Sequence, residues 1–310
     1  TRESVLIALT ALVERMGHQP VRASDTPGFI VNHAGRGYLT EALRLLSEQV
    51  AEVATIDRVL RAAVGFRLGP FELLDLTGLD VSHPVMEAIY EQYYQEPRYR
   101  PSPITRQRLM AGLLGRKSGE GFYVYTDGKA ERPELPAPTA PASTPIWISR
   151  SNPEAADWLS QRFSAAGIPV DSAKQPRAES VCLVLPTGED ATSTALAEGL
   201  DPQRTLALDP LFLDRHATLM STPVTHAEAR DIAWAALAAT GLEVSLIEDS
   251  PGFVTQRVVA MIVNIGCDMA QQKIATPVDI DKAVTLGLAY PPGPLALGDA
   301  LGATQVLTIL

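Results

Sequence analysis

The two ends of the chain repeat each other, and this repeat limits the possible folds more than any other feature. With a shift of 224 positions and no gap, Thr1 falls on Thr225 and Gly17 on Gly241. The shared residues are mostly Asp, Gly and Pro, which form turns and helix caps. The same shift pairs Asp25, Pro27, Gly28 and Phe29 with Asp249, Pro251, Gly252 and Phe253, Ile56 and Asp57 with Ile280 and Asp281, and Gly69, Pro70, Asp75 and Gly78 with Gly293, Pro294, Asp299 and Gly302. The period is too long for a solenoid repeat. It predicts duplication of a whole domain, with a second copy that lacks the counterpart of residues 87–125.

Composition excludes several classes of protein. Hydrophobic residues make up 46% of the 310 residues and charged residues 20%, which is enough apolar material for about two folded domains. A net charge of −10 argues against nucleic acid or an anionic membrane as a partner, although a local basic patch could still bind a phosphorylated ligand. Cys182 and Cys267 are far apart and fit no metal-ligand spacing, which indicates reduced thiols in a cytoplasmic protein. No apolar run approaches the roughly 18 residues of a membrane-spanning helix.

Helical patterns dominate the first part of the chain. Residues 3–16 have the apolar spacing of an amphipathic helix, and Pro20 to Ala23 read as a short extended run. Asp25, Thr26 and Pro27 predict the start of a long helix that ends near Gln49. Gly35 and Gly37 inside it predict close packing against another backbone. Residues 25–125 are therefore predicted to be almost entirely helical.

The middle of the chain has a different pattern. Residues 126–145 contain five prolines and predict an extended linker. From 146 to 248, strand patterns alternate with helix patterns, which predicts a small parallel α/β domain. Its first strand, Ile146 to Ser149, is followed by Arg150-Ser151-Asn152-Pro153 and not by the glycines that let a backbone approach a pyrophosphate. We therefore expect a degenerate Rossmann-like domain that has lost NAD.

Four segments together resemble the helical domain of 3-hydroxyacyl-CoA dehydrogenases. They are Asp25-Thr26-Pro27-Gly28-Phe29-Ile30-Val31-Asn32, Ile56-Asp57, the run from Gly65 to Asp75, and the run from Gly115 to Tyr123. The resemblance covers residues 1–125 and, more loosely, 225–310. It implies an α-helical C-terminal-type domain in two copies, separated by the degenerate Rossmann-like domain. The predicted domain boundaries are as follows: residues 1–24 are the tail of a missing Rossmann domain, 25–125 the first helical copy (copy one), 126–145 the linker, 146–248 the α/β domain and 249–310 the truncated second helical copy (copy two).

The resemblance also implies an activity, the NAD-dependent oxidation of 3-hydroxyacyl-CoA to 3-oxoacyl-CoA in the degradation of fatty acids or related acyl-CoAs. In the family, an N-terminal Rossmann domain holds NAD and a catalytic His. With no G-x-G-x-x-G motif here, we expect that domain to be missing, the chain to bind no NAD and to be inactive alone. The implied partners are an acyl-CoA substrate and the chain's own N-terminal domain. The helical domains are expected to pair either between two chains of a homo-oligomer or with each other within one chain. The alternative is a non-catalytic helical assembly module.

Asn32 is the predicted site residue, because the family uses this Asn to position the substrate and the catalytic His. Its counterpart Gln256 is longer by one methylene and is predicted not to act in catalysis. His33 adjoins Asn32 but points about 100° away on a helix, so we expect no direct role. The remaining candidates are predicted to be structural. Surface or capping roles are expected for His18, His83, His216 and His226, and cap or turn roles for Asp57, Asp75, Asp281 and Asp299. Gly69-Pro70 and Gly293-Pro294 are expected to shape the chain near an acyl pocket or a subunit interface, and Arg116-Lys117 to form a solvated turn rather than a contact to a CoA phosphate. No metal site is predicted.

Overall fold

Helices dominate both ends of the chain, and most strands lie in its middle. The computed structural model describes residues 2–133, 137–138 and 144–310. The N-terminal helices are α1 (Glu3–Arg15), α2 (Val31–Ser47), α3 (Val53–Val59), α4 (Pro70–Thr77), α5 (Leu79–Gln92) and α6 (Pro103–Met110), and α3 continues into a π-helical turn, Leu60–Val64. A hairpin of β1 (Tyr125–Thr126) and β2 (Lys129–Ala130) closes this part.

A six-stranded sheet follows, and then four more helices. The elements are β3 (Ile146–Ile148), α7 (Pro153–Ala165), β4 (Val170–Asp171), β5 (Val181–Val184), α8 (Ala191–Ala197), β6 (Thr205–Leu208), β7 (Ala217–Ser221), α9 (Ala227–Ala239), β8 (Val244–Ile247), α10 (Val254–Gln271), α11 (Pro277–Leu288), α12 (Pro294–Leu301) and α13 (Ala303–Ile309). The strand order is β4-β3-β5-β6-β7-β8. Neighbouring strands are parallel except β6 and β7. A loop without a crossover helix joins β6 to β7, so β7 returns antiparallel, and the prediction of a purely parallel sheet was wrong at this point.

Both faces of the sheet are buried, and alternate residues face opposite sides. Ile146, Ile148 and Leu183 belong to the core under α7 and α9. Trp147 and Cys182 belong to the core on the other side, which also contains residues of α8 and of the terminal helices. The nearly continuous apolar composition of the strands is what a sheet covered on both faces requires.

The helices from the two ends of the chain form one body, in which α2 lies along α10. At Gly37 a side chain would crowd α10, since a Cβ there would lie 3.0 Å from Ile265 Cδ1 and 3.2 Å from Met261 Cγ. The predicted close packing of the glycine-containing helix is therefore confirmed. Arg257 of α10 also pairs with Glu41 of α2 at 2.7 Å across this contact.

The predicted fold class, two helical domains separated by a degenerate α/β domain, is wrong in its arrangement. The helical segments do not fold on either side of the sheet as separate units. They pack on each other, share one core with one face of the sheet, and stand beside a largely parallel Rossmann-like sheet. A repeat in sequence identifies related segments, but it does not say whether they fold apart or bury their apolar faces against each other. Here they do the second.

Several predicted boundaries shift. The long helix begins at Val31 and not near Pro27. Gly28 and Phe29 take positive φ angles of 77° and 48°, and a right-handed α-helix cannot include residues with such angles. The run from Pro20 to Ala23 pairs with no strand. The β1–β2 hairpin begins at Tyr125, the last residue of predicted copy one, and otherwise lies within the stretch predicted as a linker. Residues 134–136 and 139–143 of that stretch lie outside the described residues. In the part of the chain that the structure describes, no helix is both long and apolar enough to cross a membrane.

The Asp and Gly residues shared at the 224-residue shift build the same helix cap twice. Asp57 accepts hydrogen bonds from the backbone N–H groups of Phe71 (2.9 Å) and Glu72 (3.0 Å) at the start of α4. Asp281 does the same for Leu295 and Ala296 at the start of α12, at 2.8 and 2.9 Å. At Gly69, a Cβ would lie 2.2 Å from Asp57 Cγ, so the glycine leaves room for the cap. The predicted capping roles of Asp57 and Asp281 are confirmed.

Candidate active site

Asn32 lies on the first turn of α2 with its side chain exposed. The turn before the helix, in which Gly28 and Phe29 take positive φ, ends at Ile30, so Asn32 is the second residue of the helix. Its backbone carbonyl accepts a hydrogen bond from Arg36. An exposed amide at this end of a helix lies where the helix dipole is positive, next to unpaired backbone N–H groups. It is therefore placed to contact a polar or negatively charged ligand group.

Arg36 lies one helical turn further along, and the sequence reasoning missed it. Only 5% of its surface is exposed. Its Nε donates to the Asn32 carbonyl oxygen at 2.9 Å, but its buried Nη1 has no hydrogen-bond partner. Burial lowers the pKa of Arg36 to about 10, and no carboxylate in the described part of the chain pairs with it. The signal in the sequence was a lone Arg among small residues, Ala34-Gly35-Arg36-Gly37, on a helix that had to be buried.

Tyr290 is the titratable neighbour of Arg36. It follows α11, it is 3% exposed, and its hydroxyl also lacks a hydrogen-bond partner. Two aromatic rings pack against it, Phe66 with ring centroids 4.9 Å away and Tyr38 at 5.7 Å. Two buried polar atoms without a hydrogen-bond partner, Arg36 Nη1 and the Tyr290 hydroxyl, thus lie close enough for their groups to interact electrostatically.

His33 points into the core and not towards Asn32. It is fully buried, with Nε2 2.7 Å from the Tyr99 hydroxyl and Nδ1 3.0 Å from the Tyr93 hydroxyl. Burial lowers the pKa of His33 to about 4, so the ring is neutral at physiological pH. Both of its nitrogens are occupied by tyrosines, which leaves neither free to take a substrate proton.

Gln256 differs from its counterpart Asn32 in being completely buried. Its amide oxygen accepts from the Gly188 N–H at 2.8 Å, and its Nε2 donates to Asp209 Oδ1 at 2.9 Å and to the Pro186 carbonyl at 3.2 Å. Asp209 directly follows β6, and burial raises its pKa to about 7. Gln256 therefore ties the first turn of α10 to the loops that follow β5 and β6, which is a structural arrangement.

The carboxyl edge of the sheet is where a doubly wound fold binds a dinucleotide. Here Ser149 Oγ lies 2.7 and 2.9 Å from the two carboxylate oxygens of Glu198, which puts a negative charge beside the loop that would have to meet a pyrophosphate. Asp171, at the end of β4, already accepts from the Arg177 N–H at 2.9 Å and from Ser180 Oγ at 2.7 Å. These residues do not fit NAD, and we assign no cofactor contact to this edge.

The other predicted residues are spread over the molecule. His83 and His216 were predicted at the surface or as caps, but both are buried; His83 Nδ1 lies 2.9 Å from Thr105 Oγ1, and His216 Nε2 lies 2.8 Å from Ser245 Oγ. Lys117 forms an ion pair with Asp80 at 2.6 Å. Among the residues that the structure describes, no group of three His, Cys, Asp or Glu is placed to hold a metal ion.

Asp75 confirms its predicted turn role, whereas Asp299 shows none. The Asp75 carboxylate accepts from the backbone N–H groups of Phe122 at 2.8 Å and Tyr123 at 2.9 Å, and so holds the closing segment against α4. Asp299 is exposed. The two shared positions are therefore used differently.

Comparisons with known proteins agree with one another. A family model described as 3-hydroxyacyl-CoA dehydrogenase, C-terminal domain, matches residues 28–125 and 252–310. The 3-hydroxyadipyl-CoA dehydrogenase of Escherichia coli K12 is 35% identical over 314 residues, covering 100% of this chain and 60% of that protein. The mitochondrial hydroxyacyl-coenzyme A dehydrogenase of Sus scrofa is 38% identical over 125 residues, 40% of each chain. A crystal structure of 3-hydroxybutyryl-CoA dehydrogenase from Escherichia coli K12 aligns with a TM-score of 0.80 and 33% identity, over 100% of this chain and 60% of that one.

These alignments bear on three earlier predictions. The chain spans about 60% of the length of the Escherichia coli relatives and 40% of the pig relative. All of it, sheet included, aligns with a single dehydrogenase chain, which overturns the predicted fold of two helical domains around a degenerate unit. The same alignment gives no support to the prediction that the N-terminal NAD-binding domain is missing, or to the prediction that the chain is inactive alone.

Proposed function

The chain belongs to the 3-hydroxyacyl-CoA dehydrogenase family, and we propose that it serves the oxidation of a 3-hydroxyacyl-CoA to the 3-oxoacyl-CoA with NAD as the hydride acceptor. In that reaction a bound NAD would supply the hydride acceptor for the C3 hydrogen, and a base would take the hydroxyl proton; the sheet edge beside Glu198 is not assigned to hold the NAD. The relatives named as 3-hydroxyadipyl-CoA, 3-hydroxybutyryl-CoA and hydroxyacyl-coenzyme A dehydrogenases support this substrate class.

The placement of Asn32 is the observation that carries the proposal. Its amide is exposed on the first turn of α2, at the position where the family motif has its substrate-positioning Asn. From there it can accept a hydrogen bond from the substrate hydroxyl or donate one to the oxygen that becomes a carbonyl. His33 is not the base in this proposal, because both of its ring nitrogens face buried tyrosine hydroxyls.

The test follows NADH absorbance with the protein as its gene encodes it, using 3-hydroxybutyryl-CoA and 3-hydroxyadipyl-CoA. We expect Asn32→Ala to lower kcat/KM by about 10²–10³, the usual effect of losing one preorganised hydrogen-bonding group. Gln256→Ala is the matched control from the counterpart helix. We expect it to lower the free energy of unfolding by about 1–3 kcal/mol, because the Gly188 N–H and Asp209 lose a buried partner. Turnover per folded molecule should change by less than about threefold.

The possible outcomes separate the hypotheses. An Asn32→Ala variant with unchanged kinetics would reject the assignment of Asn32 while leaving the reaction intact. Damage to turnover by Gln256→Ala alone would move the site to the sheet edge at Asp209. If the wild-type protein neither oxidised nor bound any 3-hydroxyacyl-CoA, the non-catalytic assembly module would be the better description.

A further inference from the structure

We propose that Arg36 binds the distal carboxylate of a dicarboxylic acyl-CoA, so that the site prefers 3-hydroxyacyl groups that end in a carboxylate over those that end in a methyl group. The inference rests on the proposed function, because it places the 3-hydroxy group of the substrate at Asn32. It adds a specificity-determining residue, and a chemical class of substrate, to that site.

The first reason is that Arg36 is a buried cation without a counter-ion. Its Nη1 has no partner, and no carboxylate in the described part of the chain pairs with it. Two other partly buried arginines of the same helical body are paired with carboxylates: Arg257 with Glu41 at 2.7 Å, and Arg98 with Asp268 at 2.9 Å. An uncompensated buried charge is strongly destabilising, and buried charges in proteins are normally paired. A carboxylate supplied by a ligand would complete the site.

The second reason is distance. Asn32 and Arg36 are four residues apart on α2, and such side chains lie on one face with Cβ atoms about 5–6 Å apart. In a six-carbon 3-hydroxy acid, three C–C bonds separate C3 from the terminal carboxyl carbon, a span of about 4 Å when extended. An extended chain can therefore present its hydroxyl to Asn32 and its carboxylate to Arg36. The bond from Arg36 Nε to the Asn32 carbonyl, 2.9 Å long, already fixes the guanidinium.

The third reason is the surrounding. The Tyr290 hydroxyl is buried and unpartnered and can donate a second hydrogen bond to the same carboxylate. Phe66 and Tyr38 pack against the Tyr290 ring, so its surroundings are largely apolar. In such a medium a charge-assisted, bidentate contact is much stronger than in water. A methyl-ended chain would leave both polar groups without a partner, and a site built to bond a polar group rejects an analogue that lacks it.

The experiment compares 3-hydroxyadipyl-CoA with 3-hydroxyhexanoyl-CoA, which has the same number of carbons but ends in a methyl group. We expect the wild-type protein to favour the adipyl substrate by at least about 10² in kcat/KM. Arg36→Met should lower kcat/KM for the adipyl substrate by about 10², mainly through KM, and change it by less than about threefold for the hexanoyl substrate. The matched control is Arg44→Met on the same helix, since Arg44 already pairs with Glu41 at 3.0 Å; it should keep the wild-type preference.

A binding measurement separates specificity from folding. Removing an unpaired buried charge should leave the Tm of Arg36→Met at or above that of the wild type. Adipyl-CoA, which carries no 3-hydroxy group, should raise the Tm of the wild type and not that of the variant, while hexanoyl-CoA should affect both alike. If Arg36→Met fails to fold, Arg36→Lys keeps a positive charge and should retain part of the preference.

The outcomes that overturn the inference differ from those that overturn the proposed function. Equal efficiency of the two substrates on the wild type, or an equal loss for both in Arg36→Met, would make Arg36 a structural residue only. A wild-type protein that oxidises neither substrate, but is still stabilised by adipyl-CoA through Arg36, would refute the dehydrogenase proposal and keep the carboxylate site.

Discussion

At the scale of the residue, burial decides what each polar side chain can do. His33 and Asn32 are neighbours in sequence, yet one is sealed between two tyrosine hydroxyls and the other is exposed. The neutral imidazole is held by Tyr93 and Tyr99, and protonating it would put a charge into the core without a carboxylate in contact. The consequence is a stability that depends on pH.

We expect His33 to make the fold sensitive to acid. Its pKa falls from 6.5 to about 4 on folding, so between these values the unfolded chain binds a proton that the folded chain does not. The stability from neutral His33 is present above pH 6.5 and is lost as the pH falls towards 4, by up to about 3 kcal/mol. His33→Gln cannot take this proton. Chemical denaturation at several pH values should therefore show the advantage of the wild type over His33→Gln shrinking in acid; parallel curves would contradict the assignment.

Sequence alone could predict the residues whose role is local, and it missed those whose role comes from distant segments. The caps made by Asp57 and Asp281 follow from turns that lie within 15 residues of them. The surroundings of the buried Arg36 side chain include Tyr290, which is about 250 positions away in sequence. Only the packing of α11 against α2 brings these two residues together. Asn32 was identified by resemblance, and its role stays a prediction.

At the scale of the element, most helices and strands could be predicted, because their apolar periodicity is local. The first strand of the sheet, predicted from Ile146 to Ser149, is observed at Ile146–Ile148. The antiparallel direction of β7 and the pairing of α2 with α10 could not be predicted, since both depend on which surfaces remain to be buried once the neighbouring elements have formed. The glycines of α2 were the one local sign of that pairing.

Gly37 should tolerate a side chain less well than Gly35 on the same helix. A Cβ at Gly37 meets Ile265 and Met261 of α10 at 3.0–3.3 Å, including backbone, whereas at Gly35 it meets only the end of the Leu288 side chain at 3.3 Å. We therefore expect Gly37→Val to lower the free energy of unfolding by about 2–3 kcal/mol more than Gly35→Val, since overpacking forces the two helices apart. Urea titration of both variants measures the difference. Equal losses would mean that α2 and α10 separate easily.

At the scale of the whole molecule, one core joins the helical body to the sheet. Trp147, Cys182 and Val184 of the sheet belong to the same buried cluster as Leu43 of α2 and Val258 of α10. The other face of the sheet packs under α7 and α9. A strand that is buried on both faces exposes apolar side chains to water when it loses one of its two covers. The sheet should therefore depend on the helical body for its stability.

That dependence predicts a single cooperative unfolding transition. The three tryptophans, Trp147, Trp158 and Trp234, all lie in the α/β part, so their fluorescence reports on the sheet, while circular dichroism reports mainly on the helices. We expect the two signals to give the same midpoint in urea, as a two-state transition requires. Gly37→Val, which lies far from every tryptophan in sequence, should lower both midpoints equally. Two separate transitions, with the tryptophan midpoint unmoved by Gly37→Val, would instead mean that residues 146–248 fold as an independent unit and that their contact with the helices adds little to their stability.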